Sequence, residues 1–199
     1  MAAKSTFGNM VLALGIICLV CSALLGTVYA VTKAPIEASQ LQKVNAAIAA
    51  VTPAFDNVPS EDVRTVDGGE IYTATNGGET VGYAVKVTTG GFGGPLTVMV
   101  GFTPDGTVYN TSVVSHAETP GLGAKIVDET IAPREEVKGK NPSDSNLTVR
   151  KDGGEIDAIT ASTITSRAFL KAVGQAYDVF RTNCMTVEQP LNSEENGQE

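Results

Sequence analysis

The chain has 199 residues, 42% of them hydrophobic and 18% charged, with 14 basic and 22 acidic side chains and a formal net charge of −8. Its mean hydropathy of +0.06 averages two unlike regions: residues 1–33 carry Lys4 and Lys33 and no acid, which leaves 12 basic and 22 acidic residues, a net of −10, in the rest. That acidity excludes nucleic acid as a partner and disfavours lying flat on anionic lipid, while the apolar content argues against disorder.

Between Lys4 and Lys33 lie 28 uncharged residues. About 20 apolar residues cross the roughly 30 Å of a bilayer core as a helix, and residues 10–31 (MVLALGIICLVCSALLGTVYAV) suffice. Gly15, Ser22, Gly26 and Thr27 suit a membrane packing face, and Tyr29 suits an interface. Val28-Tyr29-Ala30 resembles a signal cleavage site. The apolar stretch, however, exceeds the roughly 7–15 residues of a signal-peptide core. The reading is therefore a retained single-span anchor over 1–33. Lys4 and the α-amino group on the short side stand against Lys33 on the other, which leaves only a slight preference for a cytoplasmic N-terminus. Cys18 and Cys21 share one helix face and read there as small apolar residues. Cys184 has no evident partner, so no disulfide framework follows.

Residues 34–52 carry Ile36, Leu41, Val44, Ile48 and Val51 at helical spacing and stop before Pro53, which predicts a connecting helix. Ile71–Ala74 and Val81–Val87 flank Asn76-Gly77-Gly78, and residues 95–102 and 108–114 flank Pro104-Asp105-Gly106. Two adjacent hairpins predict an antiparallel sheet. Residues 124–140 suit a short helix and a loop. Residues 147–149 and 156–158 suit short strands around Asp152-Gly153-Gly154. From Ser162 to Arg181, Phe169, Val173, Ala176 and Phe180 form a core-facing helical stripe. The fold class is α+β: one N-terminal span, then one domain over 53–191 with an antiparallel sheet and packed helices, then a polar, flexible tail at 192–199.

Two segments carry chemistry. Residues 157–167 (DAITASTITSR) place five hydroxyl residues within seven positions where a strand gives way to a helix. A helix N-terminus has unpaired N–H groups and the positive end of the dipole, so it suits a phosphate; the plainer alternative is N-capping by Ser or Thr. Residues 116–123 (HAETPGLG) contain Pro120-Gly121, which predicts a tight turn. The glycines of 90–94 suit either a flexible connection or a close backbone approach to a ligand. His116, the only histidine, reads as a structural or cofactor-edge residue. One histidine excludes a His-rich metal site, and one cysteine outside the span cannot hold an iron–sulfur cluster. No P-loop, GxSxG, HExxH or strand-to-helix G-x-G-x-x-G motif is present.

The 157–165 segment resembles the flavinylation motif, D-x-x-[ST]-G-A-T-x-[ST], of the FMN-binding domain family shared by RnfG and NqrC. Asp157, Thr160, Thr163 and Thr165 match in place. Ala161 and Ser162 stand where Gly and Ala are usual. Residues 118–123 resemble the E-T-P-G-L-G signature of the same proteins at every position, and residues 91–95 resemble the family's glycine-rich strand connection.

The resemblance implies covalent FMN, joined through its phosphate to Thr163 by a dedicated flavin transferase. It implies that Ser162, Thr165 and nearby helix N–H groups hold the phosphate. Glu118, Thr119 and Leu122 would lie near the ring, and Asp157 and Thr160, also among the implied cofactor-binding residues, would serve recognition by the transferase as much as electron transfer. The implied function is a membrane-anchored electron-transfer subunit of an Rnf-type ion-translocating ferredoxin:NAD oxidoreductase. It would work among other membrane subunits and lipid, with its domain on the outer side of the cytoplasmic membrane. Two alternatives remain: an NqrC-like component of a Na⁺-translocating NADH:quinone oxidoreductase, and an anchored assembly module without flavin.

Overall fold

The computed structural model of the protein describes residues 7–185. Lys4 and the expected tail at 192–199 lie outside the described residues. The chain forms two compact units, Met1–Gln42 and Lys43–Glu199. Helix α1 (Phe7–Val51) supplies the first unit and the opening of the second. It is the one helix among the described residues long and apolar enough to cross a membrane, and its large apolar side chains from Phe7 to Val31 are exposed. Thr27 and Thr32 return their hydroxyls to the carbonyls of Ala23 and Val28 at 2.8 Å, so neither adds an unpaired donor to that surface.

The second unit is built on five antiparallel strands in sequence order: β1 (Val63–Val66), β2 (Gly69–Asn76), β3 (Glu79–Gly90), β4 (Pro95–Phe102) and β5 (Val108–His116). Side chains alternate between the sheet's faces. Ile71, Val85, Val87, Leu96, Val98, Val100 and Phe102 point to one face; Tyr72, Ala84 and Met99 point to the other. Both faces are covered, which explains why β4 reads as an almost unbroken apolar run.

Ala47, Ile48 and Val51 of α1 cover the second face, while Ile36 and Leu41 of the same expected stripe are exposed. Helix α3 (Thr163–Phe180) covers the first face with Phe169, Val173, Ala176 and Phe180, all fully buried. Phe180 stacks on Phe102 at 5.0 Å and meets Tyr83 at 5.4 Å. Each such aromatic contributes about 1.5–3 kcal/mol by burial.

Between β5 and α3 the chain forms a 3-10 helix (Gly123–Val127), helix α2 (Ala132–Val137) and a second 3-10 helix (Arg150–Asp152). The short strands expected at 147–149 and 156–158 reduce to one parallel bridge, Val149 to Ile156, around that last turn. Arg134 of α2 is buried and donates to the carbonyls of Val127 and Thr111, tying α2 to β5. Burial lowers its pKa, against the opposing pull of Glu129 and Asp128.

Candidate functional site

Where β5 ends, the chain turns sharply. Leu122 N–H donates to the Thr119 carbonyl at 3.2 Å, with Pro120 second in the turn and Gly121 third at φ +77. That is a type II turn, whose third position requires a positive φ. His116 is exposed, and its Nδ1 accepts the Glu118 N–H at 3.2 Å.

The turn sets Glu118 into the protein, 5% exposed. One carboxylate oxygen accepts the Phe92 N–H at 2.8 Å; the other accepts the Thr165 hydroxyl at 2.9 Å. Three segments thus close on one carboxylate: the β3–β4 connection, the 118–123 turn and the first turn of α3. Missing side chains permit this. A Cβ at Gly91 would stand 2.0 Å from Glu118 Oε1, and one at Gly123 would stand 2.5 Å from Glu118 Oε2.

The hydroxyl-rich segment then leads into α3. Ala161 adopts φ +63, in the left-handed region. Ser162 is the N-cap residue, yet its side chain makes no capping bond. The turn is pinned instead by buried Ser166, whose hydroxyl accepts the Ile159 N–H at 2.9 Å and donates to the Ser162 carbonyl at 3.1 Å. The N–H groups of Thr163, Ile164 and Thr165 have no intrahelical acceptor, as for any first helical turn.

These elements enclose a cleft of about 400 Å³, lined by Phe92, Glu118, Thr119, Leu122, Gly123 and residues 161–165. That size is typical of small-molecule sites. A second cleft of about 450 Å³ is lined by Arg150, Lys151 and residues 157–161 with Thr163. Asp157 is exposed there and pairs with Arg150 at 2.5 Å. The expected site residues therefore divide. Glu118, Thr119, Leu122, Ser162 and Thr165 line the first cleft, and Asp157 and Thr160 line the second. Half-buried Thr163 lines both. Phe92, Gly123 and Ile164 join the lining without having been singled out from sequence. The glycine run around Phe92 was the available signal for the first of them.

The FMN-binding domain family matches residues 91–178. The G subunit of the ion-translocating oxidoreductase complex of Cereibacter sphaeroides is 33% identical over 193 residues, covering 90% of this chain and 87% of that protein. Its counterpart from Aliivibrio fischeri is 32% identical over 206 residues, covering 96% and 98%. That from Vibrio atlanticus is 41% identical over 143 residues, covering 68% and 67%. The chain belongs to the RnfG family of ion-translocating oxidoreductase components.

Two solved structures are also similar. The C subunit of the Na⁺-translocating NADH-quinone reductase from Parabacteroides distasonis is 24% identical, covering 56% of this chain and 60% of that chain, with a TM-score of 0.47. NqrC from Shewanella oneidensis is 19% identical, covering 69% and 73%, with a TM-score of 0.49. In this RnfG-family protein, the segment matching the FMN-binding domain contains all residues that line both clefts. The left-handed φ of Ala161 is one that glycine adopts without a Cβ penalty.

Proposed function

We propose that this chain is a membrane-anchored electron-transfer subunit of an Rnf-type ion-translocating oxidoreductase, carrying FMN covalently on Thr163. The observation that carries the reading is the first cleft. It brings the 118–123 turn and the 161–165 segment, 47 positions apart at Glu118 and Thr165, together around Thr163 at the start of α3.

The residues fit the cofactor. The cleft wall is mainly apolar side chain (Phe92, Leu122, Ile164), suited to a flat tricyclic ring. The Thr163 hydroxyl stands beside N–H groups that favour a phosphate. The Thr165 hydroxyl is engaged by Glu118, so Thr165 offers an anion its backbone N–H. Ser162 adds a hydroxyl that no capping bond consumes. FMN, when bound, supplies one- and two-electron carrier chemistry; the protein fixes its position and surroundings. Asp157 and Thr160, exposed on the second cleft, are accessible to a flavin transferase.

The apolar part of α1 acts as the anchor, among lipid and other membrane subunits. The flavin domain lies on the outer side of the cytoplasmic membrane. The alternative of an unflavinylated module rests on Ala161 and Ser162. It is disfavoured because Ala161 takes the positive φ a glycine would take.

The test is direct. Protein from cells containing the flavin transferase is denatured, run on a gel and viewed for flavin fluorescence. A fluorescent band at this chain's mass is expected, and a dark band would overturn covalent attachment. Protease added to intact spheroplasts should degrade the domain; protection would overturn the outer location.

A further inference from the structure

We propose that Phe92 is the residue that covers the flavin ring and screens it from solvent, a reading that rests on the FMN site proposed above. Phe92 is 67% exposed, more than any other large apolar side chain described in the Lys43–Glu199 unit. An aromatic ring left in water is a cost that burial against a ligand would remove.

Its loop is nevertheless fixed. The Phe92 N–H is held by Glu118 at 2.8 Å, and the Gly91 N–H donates to the Gly94 carbonyl at 2.8 Å. At Gly93 a Cβ would stand 2.1 Å from the Ala117 carbonyl oxygen, so the loop lies flat on the segment before Glu118. A pinned backbone thus holds an exposed aromatic at the mouth of the cleft that Thr163 lines. Leu122 and Ile164, 45% and 52% exposed, stand at the same mouth. Exposed apolar side chains grouped around a concave site mark a ligand surface rather than scattered surface residues. Stacking of Phe92 on the ring is the arrangement that buries the largest of them.

The chain contains no tryptophan, which makes the test clean. Full-length flavinylated Phe92→Trp, Phe92→Ala and wild type are compared at equal covalent flavin, counted by mass. A control, Val63→Trp, lies on β1 at the opposite edge of the sheet from β5. Indole in contact with the ring should quench flavin fluorescence several-fold in Phe92→Trp and leave Val63→Trp at the wild-type level. Phe92→Ala should raise quenching by added iodide at least twofold. Equal fluorescence in Phe92→Trp and wild type, or unchanged iodide quenching in Phe92→Ala, would overturn the role of Phe92 and leave covalent FMN standing. Wild type without covalent flavin would overturn both.

Discussion

The hydroxyl of Thr165 donates to the carboxylate of Glu118 at 2.9 Å, and this one bond joins the first turn of α3 to the turn that follows β5. Both groups are almost fully buried. A buried acceptor that loses its donor costs about 1–3 kcal/mol. Thr165→Val, which keeps the shape and removes the hydroxyl, should therefore destabilise the protein by that amount in denaturant titrations. Gly123→Ala should break the same bond, because its Cβ would stand 2.6 Å from the Thr165 hydroxyl. The two substitutions act on one contact. Their combined cost should fall short of the sum by about 1 kcal/mol or more. Strict additivity would show that Gly123 and Thr165 act separately.

Ala161 offers the opposite sign. A side chain in the left-handed region costs about 1–2 kcal/mol, part of which glycine returns as backbone entropy. Ala161→Gly should stabilise the protein by up to about 1 kcal/mol. Ala161→Val, with a branched Cβ at φ +63, should destabilise it. Loss of stability on Ala161→Gly would mean the strain argument is wrong.

The fold was legible where side chains repeat with a period. The stripe at Phe169, Val173, Ala176 and Phe180 marked α3, and apolar, β-branched runs on either side of glycine turns marked β2 to β5. β1 was not legible, because four residues with Arg64 and Thr65 among them carry too short a pattern. Residues 147–149 looked like a strand because Leu147 and Val149 alternate; the chain there makes a single bridge. At the site, the two motifs announced themselves, but their meeting did not. The bond between Glu118 and Thr165 depends on tertiary closure, and so does the entry of Phe92 into the lining. Ser162 shows the converse. Its type and position suggest a helix cap, and Ser166 pins that turn instead.

Glu70, Lys86 and Tyr72 give a pH prediction. Glu70 accepts from Tyr72 at 2.5 Å and pairs with Lys86 at 2.6 Å. Burial alone would raise the Glu70 carboxyl, but the bonds from Lys86 and Tyr72 outweigh it and hold the pKa below 4.5. A lowered carboxyl pKa contributes stability above the unfolded value that is lost as pH falls through the folded one. Burial first, and then Glu70, raises the Tyr72 phenol above its ordinary 10.0. A raised pKa contributes stability below the unfolded value that is lost as pH climbs toward the folded one. Stability should thus fall on both limbs. Tyr72→Phe should flatten the alkaline limb above about pH 10. Glu70→Gln should flatten the acid limb below about pH 4.5 and also weaken the alkaline one. Melting temperatures across pH for the three proteins decide it; parallel curves would sink the coupling.

Arg134 should be intolerant even of lysine. Its guanidinium reaches two carbonyls and the Thr111 hydroxyl from a buried position. A lysine ammonium is a point charge that cannot match that planar fork. Charge-assisted bonds are worth about 1.5–3 kcal/mol each, so Arg134→Lys should lose about 2 kcal/mol or more and Arg134→Ala still more. Equal stability of Arg134→Lys and wild type would show that the fork is not needed to hold α2 on β5.

Thr163 is distinguished from the other hydroxyl residues by position, and substitution separates them. It opens α3, lines both clefts and is half-buried, whereas Thr165 and Ser166 are buried in bonds of their own. Thr160 is exposed on the second cleft alone. Thr163→Ala should lose the covalent flavin mass completely, while in protein made without the transferase its stability should match wild type within about 0.5 kcal/mol, as for substitutions that break no buried contact. Thr165→Val should invert that pattern, keeping the flavin on the folded fraction while losing stability. Thr160→Ala should leave stability unchanged and slow flavin loading, if the second cleft is where the transferase reads the chain. Intact mass after expression with the flavin transferase separates the three. Retention of FMN in Thr163→Ala would move the attachment to another hydroxyl, and Ser162, whose side chain makes no cap bond, would be the next residue to substitute.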